Sequence, residues 1–203
     1  MSQSVFPPEA RVLFFSRHGE TAWNREERWQ GQTDIGLNER GRAQAVALAA
    51  RLVGRGIRDI TASDLSRARE TAEIIARHLG IADVTVDADL RERGYGVFEG
   101  LTREQCETQH SDDWSRYLAD RTYTPTRAEL QDQVVTRMRA AVARAAARAA
   151  GHGHPVLIVG HGGSIRAVLH ADTGSRPPPL DNGGTIRALF GAAGLRDAEL
   201  LPG

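Results

Sequence analysis

Apolar positions recur along the chain in two rhythms, and together they predict alternating strands and helices. Continuous apolar runs of strand length stand at Val12–Ser16 and at Val156-Leu157-Ile158-Val159-Gly160. Runs this short, bounded by polar and glycine-rich segments, read as buried strands. Shorter strands are expected at Asp59–Ser63, Asp83–Val86 and Thr185–Phe190, with a last one near Glu199–Leu201. Between them the apolar residues fall at helical spacing. Ala45, Leu48, Ala49 and Leu52 mark one helix, opened by Asn38 as N-cap and stopped by Gly54 and Gly56. Ala68, Ala72, Ile75 and Leu79 mark a second within 64–80, with Gly80 as its C-cap. Val134, Val135, Met138, Val142 and Ala145 mark a long Ala-rich helix over 129–150, and Ser164–His170 is helical again. This alternation predicts a three-layer α/β/α sandwich around a mostly parallel central sheet.

Some stretches fit neither rhythm. Residues 1–10 read as a loose, proline-containing leader. Residues 22–38 read as a polar loop anchored by Trp23, Trp29 and Ile35. Residues 90–101 are too glycine-punctuated for a simple helix, Thr102–Leu118 reads as a polar, exposed helical insertion, and 120–128 as a Thr/Pro loop. We expect one domain over 1–203, with 93–128 as a small cap insertion.

Composition narrows the chemistry. Charged residues make up 26% of the 203 and the formal net charge is zero, which argues against a nucleic-acid binder. All 26 residues counted as Lys or Arg are arginine. Without lysine there is no Schiff base and no P-loop lysine, which excludes pyridoxal enzymes and Walker-type nucleotide hydrolases. Cys106 is the single cysteine, so no internal disulfide forms. Its polar, acidic neighbours would not activate a thiolate. No apolar run reaches membrane-spanning length, and the N-terminus lacks the pattern of a signal peptide. A cytoplasmic protein with no membrane partner is expected.

Ligands of open α/β sheets bind beyond the carboxyl ends of the strands. There the first strand delivers Arg17 and His18, with Asn24 following. The second leads into Arg67, the third into Arg91-Glu92-Arg93, and the fourth into His161, with the Gly162 and Gly163 amides opening a helix. Guanidinium groups, two imidazoles and helix N-terminal amides suit a dianion, and phosphate is the obvious one. Neutral His18 could attack phosphorus, and Glu92 could protonate the leaving alcohol. A salt bridge from Glu92 to Arg91 or Arg93 is the competing use of that carboxylate. A metal is not expected: the arginines would repel it, and no carboxylate accompanies either histidine at ligand spacing. His152 and His154 read as a solvated turn.

These residues sit in a familiar order. Arg17-His18-Gly19-Glu20-Thr21, Trp23-Asn24, Gln30-Gly31-Gln32-Thr33-Asp34-Ile35-Gly36-Leu37-Asn38, Ser63-Asp64-Leu65-Ser66-Arg67-Ala68 with Glu70-Thr71-Ala72, Leu90-Arg91-Glu92-Arg93 and Gly160-His161-Gly162-Gly163-Ser164-Ile165-Arg166 resemble the histidine phosphatase superfamily, in its phosphoglycerate-mutase-like branch. The resemblance covers most of the chain. It implies that His18 becomes phosphorylated, that Arg17, Arg67 and His161 hold the phosphate with Asn24 and the Gly162 amide, and that Glu92 serves as acid and then base. It implies no metal and no other cofactor.

The branch is read from smaller features. Glu92-Arg93-Gly94-Tyr95-Gly96 matches the mutases, whereas Gly163 stands where mutases place asparagine. The Val97–Thr102 segment looks like that of the phosphatases, but only Glu129 remains of their Gly-Gly-Glu-Ser box. A long insertion and extended tail typical of mutases are missing. The reading favours a metal-independent phosphatase acting on small phosphate monoesters. Arg93, Tyr95, Arg103 and Arg121 suggest a carboxylate on the substrate, as in phosphoglycerates, although Arg103 and Arg121 could equally be solvated. A mutase and a non-catalytic phosphate-binding module are the alternatives. The expected partner is a small phosphorylated metabolite, and the sequence leaves a homodimer open.

Overall fold

The computed structural model describes residues 10–149 and 152–202. Most of the expected leader lies outside them. The elements are β1 (Arg11–Arg17), α1 (Ala22–Arg25), α2 (Glu39–Leu52), β2 (Asp59–Ala62), α3 (Ser66–Leu79), β3 (Val84–Val86), α4 (Arg103–Gln109), α5 (Ser111–Ala119), α6 (Gln131–Arg148), β4 (Val156–Gly160), α7 (Gly162–Thr173), β5 (Thr185–Gly191) and β6 (Gly194–Leu200). The six strands form one sheet in the order β3-β2-β4-β1-β5-β6. β3, β2, β4 and β1 pair in parallel, and β5 runs antiparallel to both β1 and β6. The sheet is therefore mostly parallel, as the strand–helix alternation implied.

Successive side chains of a strand point to opposite faces of the sheet. Leu13, Phe15, Val156 and Ile158 face one way and pack with α6 and α7. Phe14, Leu157 and Val159 face the other way and pack with α2 and α3. Both layers draw on the same continuous apolar runs, which is why β1 and β4 show no alternation in sequence. Burying a side chain such as Phe14 or Phe15 contributes about 2–3 kcal/mol.

Local signals set most boundaries as expected. Asn38 accepts from the Gly41 N–H at 2.8 Å and caps α2. Differences lie where the signal is weak. The 22–38 loop contains α1, a single turn held by a Thr21–Asn24 capping box. α7 opens at Gly162 as expected but runs on past His170 to Thr173. The 102–118 segment breaks at His110 into α4 and α5, and it is mostly exposed as expected, with Cys106 and Trp114 the buried exceptions. Trp114 and Cys106 are buried with Phe98 in a separate aromatic cluster that Trp29, Tyr95 and Tyr117 complete. Burial pushes the Cys106 thiol up to about 11, so it stays protonated within that cluster. Among the described residues no helix is long and apolar enough to cross a membrane.

Candidate active site

β1 and β4 are parallel neighbours in a register that pairs Arg17 with Gly160. The next residue on each strand is therefore a histidine at the same height. The His18 N–H continues the ladder to the Gly160 carbonyl at 3.0 Å, and the two rings lie 5.1 Å apart between centroids, tilted by 59°. Gly19 lets β1 leave the sheet against the start of α2: a Cβ there would stand 2.3 Å from the Gly41 carbonyl oxygen. No side chain fits that backbone-to-backbone contact.

His18 Nδ1 lies 2.7 Å from the Gly19 carbonyl oxygen. A carbonyl only accepts, so Nδ1 carries the proton and Nε2 keeps its lone pair. Burial, and then the charges of Arg67 and Arg17, hold the ring well below the usual histidine range. His161 is lowered well below that range by burial and then by Arg67. Both imidazoles are neutral at pH 7.

Arg67, at the start of α3, is 1% exposed. Its Nη1 donates to the Thr33 carbonyl and its Nη2 to the Gly31 carbonyl, both at 2.8 Å. Burial pulls its pKa down to about 10, which still leaves it charged. Arg17 donates to the Leu180 carbonyl at 2.7 Å. Among the described residues, the buried side-chain polar atoms without a partner are Arg67 Nε, His161 Nδ1 and His161 Nε2. Buried polar groups are normally satisfied, so three orphans in one place mark a ligand site.

Glu92 is 9% exposed and pairs with neither adjacent arginine. Arg91 turns to Asp64 at 2.8 Å. Arg93 donates its Nε to the Glu129 carbonyl at 2.8 Å and its Nη2 to Thr124 at 3.2 Å. The Glu92 carboxylate instead sits on backbone amides. Oε1 accepts from the Arg93 and Ser164 N–H groups and Oε2 from the Gly163 N–H, each at 2.8 Å. Oε2, with a single amide, is the oxygen with room for a proton.

A cavity of about 430 Å³ joins these groups. Arg17, His18, Asn24, Arg67, Glu92, Tyr95, Arg103, His161 and Gly162 all line it. Of the expected residues, Arg93 and Arg121 do not. Arg93 is tied to the loop before α6 as described, and the Arg121 guanidinium covers the Tyr117 ring at 4.8 Å. Gln30 and Arg166, which stand in the motifs without an assigned role, and Arg28, which the sequence did not single out, also line the cavity, and Asn182 bonds the His18 carbonyl and Asn24 beside it. Asn24 Oδ1 accepts from Asn182, the Thr21 N–H and the Thr21 hydroxyl, each at 3.2 Å, which leaves its Nδ2 to offer a ligand. Arg166 carried a readable signal. It lies four residues after Gly162, on the same helix face.

Residues 13–185 match the family model for the histidine phosphatase superfamily, branch 1. The chain belongs to that superfamily. It is 37% identical over 155 residues to phosphoglycerate mutase-like protein 4 of Arabidopsis thaliana, a match covering 75% of this chain and 66% of that one. It is 37% identical over 150 residues to the probable phosphoglycerate mutase GpmB of Escherichia coli, covering 74% and 69%. The match thus spans about two thirds of these relatives. Among solved structures, it is similar to a mycobacterial glucosyl-3-phosphoglycerate phosphatase in complex with VO3, with 32% identity, a TM-score of 0.83, and 96% and 99% of the two chains covered. Members of the superfamily are phosphatases and mutases.

Proposed function

We propose that the protein is a metal-independent phosphatase of small phosphate monoesters, working in the cytoplasm through a phosphohistidine at His18. The observation that carries this reading is the convergence of Arg67 Nε and both His161 nitrogens, buried and unpartnered, beside a neutral His18 whose Nε2 is free. A bound phosphoryl group would satisfy them. Arg17, Arg67, His161, Asn24 Nδ2 and the Gly162 N–H would then surround its oxygens.

In the first step His18 Nε2 attacks phosphorus. The P–N bond forms as the P–O ester bond breaks, and a proton from Glu92 Oε2 goes to the departing oxygen. In the second step water attacks the phosphohistidine. Glu92 takes a proton from that water, the P–N bond breaks, and phosphate leaves with His18 and protonated Glu92 restored.

Hydrolysis is favoured over mutase chemistry by the position after His161-Gly162. Gly163 is the residue the phosphatase resemblance implies, and Glu92 occupies the space an asparagine side chain would need there. The structural relative named for a phosphatase and bound to VO3 supports the same choice.

The test is phosphate release in EDTA from a panel of phosphomonoesters, with trapping of an acid-labile phosphoenzyme. Release and trapping that vanish in His18→Ala are expected. Release that survives in His18→Ala overturns the mechanism. Interconversion of phosphoglycerates without phosphate release, given a bisphosphoglycerate primer, would establish a mutase. Phosphate binding without either reaction would establish a binding module.

A further inference from the structure

The cavity that contains the phosphate cradle is lined by more cations than that cradle uses. The start of α7 serves the reacting centre: Gly162 lines the cavity, and the Gly163 and Ser164 amides hold Glu92. One turn on, Arg166 lines the same cavity. Its Nε donates to the Pro177 carbonyl at 3.0 Å, which fixes the plane of the guanidinium. Among the described residues no acceptor takes its Nη1 or Nη2. Burial lowers its affinity for the proton, and the charge of Arg176 lowers it further. A half-buried cation with a like charge nearby and no carboxylate partner calls for an anion from outside the chain. The two carboxylates of the cavity wall do not supply it. Glu92 is held by amides, and Glu27 is exposed at the rim.

The other arginines sort into two groups. Arg93 and Arg121 are committed elsewhere, and Arg28 spends its Nε on Glu26 and its Nη1 on the Gly100 carbonyl and Gln105. Arg103, on the cap helix α4, is exposed at the cavity wall and has no partner among the described residues. Arg166 and Arg103 are thus the cations with donors to offer beyond the phosphate.

We propose that Arg166 determines specificity by binding a carboxylate on the leaving group, with Arg103 as the outer cation of the same subsite. The proposal rests on the phosphatase reading, because the acid Glu92 defines the leaving-group side. A substituent on the departing oxygen lies in the cavity that Glu92 and Arg166 both line, and a guanidinium held in one plane offers the two parallel donors that a carboxylate accepts.

The test compares 3-phosphoglycerate with glycerol 3-phosphate, which differ by a carboxylate against a hydroxymethyl group. Calorimetry on His18→Ala protein reads binding without turnover. The parent should prefer 3-phosphoglycerate by tenfold or more, in keeping with hydrogen bonds to charged groups. Arg166→Gln should erase that preference and leave glycerol 3-phosphate within about twofold. Arg166→Lys keeps the charge but loses the fork, and should keep only part of the preference. If the glutamine variant does not fold, the lysine variant must still lower the preference. Equal affinity of the parent for both esters, or equal weakening of both by the substitutions, overturns the proposal. Wild-type protein that binds with this preference but releases no phosphate would overturn the catalytic reading alone.

Discussion

A Cβ added to Gly163 would stand 2.6 Å from Glu92 Oε1 and 3.0 Å from its Oε2. The bare second residue of α7 is what lets the carboxylate settle on the first amides of that helix. Gly163→Ala should therefore push Glu92 out of place without touching the phosphate cradle. The expected result is a loss of at least about tenfold in kcat on esters with poor leaving groups, and a much smaller one on p-nitrophenyl phosphate, which needs no proton. Glu92→Gln should act in the same direction, by on the order of a hundredfold. Equal losses on both substrate types would show that Glu92 is not the proton donor.

The neutrality of His18 and His161 has a cost that pH exposes. Their ordinary value is 6.5, and both lie well below it in the folded protein. Below pH 6.5 the unfolded chain takes up protons that the folded site refuses, so stability falls as pH falls and is fully retained above 6.5. Each ring contributes at most about 1.4 kcal/mol per pH unit. Urea unfolding at pH 7.5 and 5.5 should show this loss, and His161→Gln should make the curve shallower. A stability unchanged between these pH values would mean that both rings are charged in the fold.

Gly19 and Gly41 bring the exit of β1 onto the start of α2 with no side chain between them. At Gly19 the added Cβ would meet the Gly41 carbonyl oxygen at 2.3 Å, and at Gly41 it would meet the Glu20 carbonyl oxygen at 2.1 Å. Backbone cannot swing aside as a flexible side chain can. Gly19→Ala should cost about 3 kcal/mol or more, the upper end for overpacking. For a domain of this size that is a fall in Tm of about 6–12 °C. A wild-type Tm would show that the chain relaxes at this contact.

The two histidines and their strands were legible because an apolar run long enough to cross the sheet ends in a polar residue at a fixed place. β1 and β4 had only to be neighbours for His18 and His161 to meet. Glu92 was legible as a candidate, but not its partners. The helix opening at Gly162-Gly163 was legible too, but whether Glu92 bonds an adjacent arginine or the amides of that opening depends on how the chain after β3 lies against α7, which no local pattern shows. Arg93 and Arg121 resembled substrate ligands because charge is visible in sequence while direction is not. One side chain turns to Glu129 and Thr124, and the other to Tyr117. Asn182 was invisible for a related reason. Its contact to Asn24 is made by tertiary folding and leaves no period or motif. Gln30 stood in a motif, but its bond to Thr21 could not be read there.

Arg137 on α6 shows what such hidden residues do. Its guanidinium donates to both oxygens of Glu129, at 2.7 and 2.8 Å, and to the carbonyls of Asp89, Arg91 and Glu92 at 2.8, 2.6 and 2.9 Å. Glu129 also accepts from the Gly94 N–H at 3.2 Å. One side chain thus clamps the backbone on both sides of Glu92, and Glu129 keeps this contact although the rest of its motif is missing. Arg137→Met leaves a half-buried carboxylate and three carbonyls without their donor. It should cost about 3 kcal/mol, the lower end for breaking a buried pair. Loss of the clamp should also lower kcat on poor leaving groups while KM changes little, because Arg17, Arg67 and His161 stay where they are. Arg137→Lys, which keeps the charge and part of the bonding, should fall between. A variant that loses stability but keeps its wild-type kcat would show that Arg137 supports the fold without positioning Glu92.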